Sequence, residues 1–216
     1  MSAHSHKTNV SSKSGPARMA TTQDAFRKEL ERRFRKLRGV LRETIVENDA
    51  LELPVERVNV EPARDFKFVE RSREEAFREW WDRQVEEGFL EPLPSGAVRR
   101  GEHYSASYVR DGYVQGVEWA DKQAEKFGFP VREISPTSVI QRPVHQDALE
   151  TIFSRSYGEL ETVAMRAEKD VARVLTTEMA KGEGANKIGD TLTHEVRTIQ
   201  RRDARRIARS EVMNAH

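Results

Sequence analysis

The sequence predicts a mainly α protein, elongated and built from long amphipathic helices. Three observations lead there. Apolar residues recur at steps of three and four along most of the chain, which is the period of one helix face. The interruptions are few and fall at glycine and proline, as at Gly88, Gly128-Phe129-Pro130 and Gly182-Glu183-Gly184. Of the 216 residues, 37% are hydrophobic and 34% charged, a balance that suits striped helices in an assembly better than one compact globule.

Residues 1–20 carry almost nothing apolar, and Lys7, Lys13 and Arg18 are all positive, so burial there cannot offset the entropy of ordering. They are expected to form a disordered or extended arm. From Thr21 to Asp49, Phe26, Leu30, Phe34, Leu37, Leu41 and Ile45 keep helical spacing behind a Thr/Asp cap signal. Lys28 to Arg38 supply the other faces with mixed charge, which reads as solvated surface. Val58-Asn59-Val60 and Phe66-Lys67-Phe68 alternate about a proline-bearing turn, which suggests a small β-hairpin near residues 55–69.

Ser72-Arg73-Glu74-Glu75 has the form of a capping box, opening a helix with Phe77, Trp80, Trp81 and Val85 before Gly88. Adjacent tryptophans on a helix point about 100° apart, so one can anchor the core while the other reaches a partner. The plainer reading makes both of them edges of a wide core face. Glu91 to Gly96 is a loop. Tyr104, Tyr108, Gly112, Gly116, Ala120 and Ala124 then mark a helix over residues 102–127, whose small residues leave a groove for a second helix. The long helix downstream, with Ser156, Ala164 and Ala167 on its stripe, is the expected neighbour. Val131 to Pro143, rich in proline, reads as a linker or edge strand.

Between Pro143 and Gly182, Ala148, Ile152, Ser156, Leu160, Val163, Ala167, Val171 and Val174 form one stripe. A shorter amphipathic stretch with Ile188, Leu192, Val196 and Ile199 follows the glycine break. Last comes an arginine-rich run with a narrow seam of Ala204, Ile207, Ala208 and Val212. The chain thus divides into the arm at 1–20, a helical region at 21–143 and a C-terminal module at 144–216.

Thirty-seven basic residues against 36 acidic ones make any nucleic-acid affinity a matter of local clustering. With no cysteine there is no disulfide, thiolate chemistry or cysteine metal site. The six histidines form no His-x-x-x-His pair, and no apolar run approaches the roughly 20 residues needed to cross a bilayer. No histidine or lysine is placed to activate Ser210, so no catalytic residue, cofactor or metal site is expected, and the protein reads as no enzyme.

The order of a long helix with Ser156-Tyr157 near its middle, Val174-Leu175, a Lys181-Gly182-Glu183-Gly184 break and then Asp203-Ala204-Arg205-Arg206-Ile207-Ala208-Arg209-Ser210-Glu211 resembles the phage Mu F-like minor head proteins of tailed viruses. Their hallmark is similar to Arg-Ala-x-x-Ile-Ala-Arg-Thr-Glu. Here Ser210 replaces the usual Thr and Asp203 precedes the Ala. The resemblance covers about a third of the chain, and because the family motif runs on past an Asn and an Ala, it implies a continuation beyond His216.

It implies a structural minor capsid protein, present in several copies in the virion head near the portal vertex and assembled in the host cytoplasm. Such a protein binds the portal and the major capsid protein during head morphogenesis and assists DNA packaging or ejection. The residues expected to meet a partner or phosphate are Arg197, Arg201, Arg202, Arg205, Arg206, Arg209 and Glu211, with Trp80 and Trp81. For the arginine cluster, intramolecular pairing ranks first, portal contact second and DNA third, because the motif mixes Arg with Glu and not with aromatics. The alternative function is a nucleic-acid-binding packaging accessory that acts through Arg197 to Arg209.

Overall fold

The computed structural model describes residues 16–48, 66–130, 138 and 140–216. Among them there are five long α-helices and no strand, so the fold is mainly α. We label the helices α1 (Pro16–Arg42), α2 (Phe66–Val85), α3 (Ala106–Lys126), α4 (Pro143–Ala180) and α5 (Ala185–Ala215). Single π-helical turns, Glu43–Glu47 and Glu86–Leu90, extend α1 and α2. No described helix is long and apolar enough to cross a membrane.

The stripe of α1 is buried throughout: Phe26, Leu30, Phe34, Leu37, Leu41 and Ile45 all face inward. Against it lie Ile188, Leu192, Val196, Ile199, Ala204, Ile207, Ala208 and Val212 of α5. The two helices run antiparallel, with Arg42 bonding Asp190 at 2.7 Å. Gly189 lets them close at one end: a Cβ there would lie 2.3 Å from Cγ2 of Val46. Phe77, Trp81 and Phe89 of the α2 arm and the α4 stripe from Leu160 to Met179 complete one core, to which both the N-terminal helical region and the C-terminal module contribute.

Several elements differ from their sequence expectation. Phe66 to Phe68, expected as the second strand of a hairpin, are the first residues of α2. A three-residue alternation cannot hold a strand against the Glu-, Arg- and Ala-rich helical run that follows it. The first expected strand lies outside the described residues, as do residues 1–15 of the expected arm and most of the expected linker at 131–143. Ser72 is consequently inside α2, and the capping box is not its start. Helix α1 begins at Pro16, five residues before the Thr/Asp cap signal at Thr21, and Met19 is buried.

The short amphipathic stretch and the arginine-rich run are one helix, α5, because nothing between Ile199 and Ala204 breaks it. In the first turns of α4 the buried residues are Leu149 and Phe153, one position on from the expected Ala148 and Ile152. They form a small second cluster with Ala106, Val109 and Ala215. The Lys181-Gly182 break is a Schellman motif, with Gly182 at φ 69° and the Glu183 amide bonding the Glu178 carbonyl at 3.2 Å.

The groove of α3 takes a neighbour other than the one expected. A Cβ on Gly112 would meet the Val212 carbonyl at 2.9 Å, and one on Gly116 the His216 carbonyl at 2.5 Å. The close partner is therefore the last turn of α5 and not α4. The small residues of α4 are used elsewhere, since Ser156, Ala164 and Ala167 already face the core.

One buried ion network ties these layers together. Arg33 of α1, 5% exposed, bonds Glu29 at 2.8 Å, the Phe89 carbonyl at 3.3 Å and Glu91 at 2.5 Å. Its guanidinium also lies 3.4 Å from the centroid of the Tyr104 ring. Arg32 and Arg33 together hold the Glu29 carboxyl below the ordinary carboxylate range.

Candidate partner interface

The helical period sorts the 203–211 motif into two sets. Asp203, Ala204, Ile207, Ala208 and Glu211 turn inward and are buried, while Arg205 and Arg209 turn outward. The apolar members seal α5 onto the bundle. The two acids do something less visible in a sequence.

Asp203, 1% exposed, is a charge hub: its Oδ2 accepts from Nε and Nη2 of Arg202 at 3.1 and 2.9 Å, and its Oδ1 from Arg206 at 3.4 Å. Arg166 of α4 approaches the same carboxylate at 3.8 Å. Arg206 reaches on to Glu159 at 3.2 Å, and Arg202 lies 4.0 Å from Asp170. Arg202 and Arg206 are therefore committed to fastening α5 to α4. Among the candidate arginines these two are structural, which is the reading ranked first for the cluster.

Glu211 is buried beside Arg155, 3.7 Å away, and accepts a long bond from Ser210 at 3.4 Å. Its Oε2 has no hydrogen-bond partner. Burial pushes its pKa up, and the Arg155 charge only partly opposes this. A buried Glu211 cannot meet a partner directly, so that candidate is withdrawn from the contact surface.

A folded-state pKa above the ordinary 4.5 means the native state holds the proton more tightly, so stability falls as pH rises from 4.5 through the raised value. Glu211→Gln is expected to melt about 2 °C or more above the parent at pH 7, on the order of 1 kcal/mol for one poorly satisfied buried group. The advantage should vanish near pH 4, and thermal unfolding followed by circular dichroism at the two pH values checks it.

Trp81 is also withdrawn: it is fully buried against Phe77, with ring centroids 6.2 Å apart. Trp80 is half-buried and packs on the same cluster, with Phe77 at 5.7 Å, so the tryptophans serve the core. The placing of a wide apolar face on α2 explains both.

What remains outward is a stripe of Arg197, Arg201, Arg205 and Arg209, spaced by four. None has a carboxylate partner among the described residues. Arg38 of α1 adds to the basic surface: burial first, then the positive charges of Arg197 and Arg35, lower its pKa. Arg38 reads as ordinary surface in the sequence, because only the antiparallel packing of α1 on α5 brings it toward Arg197.

A Ser–His pair exists elsewhere, His103 Nδ1 lying 2.6 Å from Ser105 Oγ. Both are buried, at 3% and 0% exposure, and burial lowers the imidazole pKa to about 4, so it is neutral at pH 7 and closed to a substrate. Among the described residues no group of three or more His, Asp or Glu has the arrangement to hold a metal.

Among the described residues, fold and surface together define a helical protein that carries an unneutralised arginine stripe. No family model, curated protein or solved structure matches this chain.

Proposed function

We infer that this chain is a structural minor head protein of a tailed virus, which binds the portal and neighbouring capsid proteins during head assembly and assists DNA packaging or ejection. The observation that carries the reading is the division of labour within the 203–211 motif. Ala204, Ile207 and Ala208 are spent on the core, and Asp203 on holding α4. Arg201, Arg205 and Arg209 are left facing out with no partner of their own. Solvated arginines at four consecutive outward positions form a surface that favours carboxylates or phosphates presented by another molecule.

The work is recognition without turnover, performed by several copies at the portal vertex of the virion. Affinity purification of proheads tests it: the chain is expected to co-migrate with the portal, and its absence from every head component sinks the reading.

The same stripe supports a second reading, a packaging accessory that neutralises DNA phosphates. Binding of free duplex separates the two. Four phosphate contacts predict for DNA a plot of log K against log salt with a slope of about −3.6, whereas a chain that serves only the portal should leave free duplex unbound even at low salt.

A further inference from the structure

The outward stripe has a counterpart on the same molecule. Between the end of α2 and α4 lies an open groove of about 720 Å³, with Leu90, Leu93, Ala164 and Met165 among its lining residues. Met165, 62% exposed, gives the groove an open apolar floor. Asp82, Glu86, Glu161 and Glu168 also line it, and no lysine or arginine does. None of these four acids has an ion-pair partner among the described residues. Tyr157 in the groove has its pKa raised, by burial first and then by Glu161, Glu86 and Glu91, consistent with a negative local field.

We propose that the acid-lined groove of one copy receives the α5 arginine stripe of a second copy, joining subunits head to tail. Four unpaired carboxylates face four unpaired arginines, and the two patches carry opposite signs on a chain whose net charge is only +1. Arginine supplies what such a groove needs, because its aliphatic stem covers apolar surface while the guanidinium takes a carboxylate bidentately. A contact between two different patches leaves the joined pair with one free groove and one free stripe, so it propagates into a ring or a filament.

The inference rests on the proposed function only in taking the stripe as a partner surface, and its test uses the purified full chain with no virion component. In sedimentation velocity at about 50 mM salt, the parent is expected to form species larger than a monomer that grow with concentration and dissociate at about 0.5 M salt. Glu86→Lys/Glu161→Lys reverses the groove, and Arg201→Glu/Arg205→Glu reverses the stripe. Each variant alone should be monomeric, with an unchanged helical circular dichroism spectrum. Mixed one to one, they retain one intact groove and one intact stripe between them and should associate where neither does alone.

The milder Glu86→Gln/Glu161→Gln variant should weaken association at least tenfold, which guards against misfolding of the reversed forms. A parent that stays monomeric at 100 µM in low salt overturns the proposal, whether the groove is then filled by the chain's own residues or by another protein. So does a mixture of the two reversed variants that does not pair. Either result leaves co-migration with the portal to be decided separately.

Discussion

Asp203→Ala is expected to lower the stability of the protein by about 2–3 kcal/mol, a fall in melting temperature of roughly 5–10 °C for a chain of this size. The carboxylate is 1% exposed, yet the arginines around it are not: Arg202, Arg206 and Arg166 are 50%, 42% and 45% exposed at their side chains. Removing a fully enclosed partner can cost about 3–5 kcal/mol, because a buried charge is left uncompensated. Here the three guanidinium groups can turn to water, which places the loss below that range. Until they do so they repel one another, since all three converge within 4 Å of the position the carboxylate held.

Asp203→Asn keeps the shape and one acceptor and should lose about half as much. The check is chemical denaturation with the midpoint and slope fitted separately. A change confined to the slope would point to the unfolded ensemble and away from the hub.

This position also marks where the sequence was legible and where it was not. Helical period located the apolar seam of α5 residue by residue, because Ala204, Ile207, Ala208 and Val212 repeat at the spacing of a face that must be covered. The α1 stripe was legible for the same reason. Period says nothing about which helix supplies the cover, so it does not show that the neighbour of Gly112 and Gly116 is the end of α5 and not α4. Nor does it separate a solvated arginine from a fastened one. Arg202 and Arg205 look alike in the chain, and only the arrival of Asp170, Glu159 and Arg166 from α4 divides them. The acidic groove was invisible because its carboxylates come from α2 and α4, more than seventy residues apart in sequence.

Arg33 is the extreme case, and replacing it should have the largest effect of any charged residue in the bundle. In sequence it stands within Arg32-Arg33-Phe34-Arg35-Lys36, a run that reads as solvated surface. In the fold its side chain is 6% exposed and joins three segments: Glu29 on its own helix, the Phe89 carbonyl and Glu91 after α2, and the Tyr104 ring before α3. Arg33→Met keeps the aliphatic volume but removes every donor. Glu29 remains neutralised by Arg32 at 2.6 Å, so it is not the group that suffers. The Phe89 carbonyl loses its side-chain donor, and Glu91 loses its ion pair at a residue already held at φ 69°, where a side chain is strained.

The expected loss is about 3–4 kcal/mol, summed from the lost donor of the Phe89 carbonyl, the lost stacking on Tyr104 and a pair whose other member, Glu91, is 40% exposed. Arg33→Lys retains the charge and should recover roughly half of it, since an ammonium cannot serve Glu29 and Glu91 with one planar fork or stack on Tyr104. Glu91→Gln should be much milder, because Arg33 keeps Glu29 and the neutral amide is still an acceptor. A series in which Arg33→Lys is as damaging as Arg33→Met would assign the cost to packing around Tyr104, whereas the graded order assigns it to the charge network that clamps α1, α2 and α3.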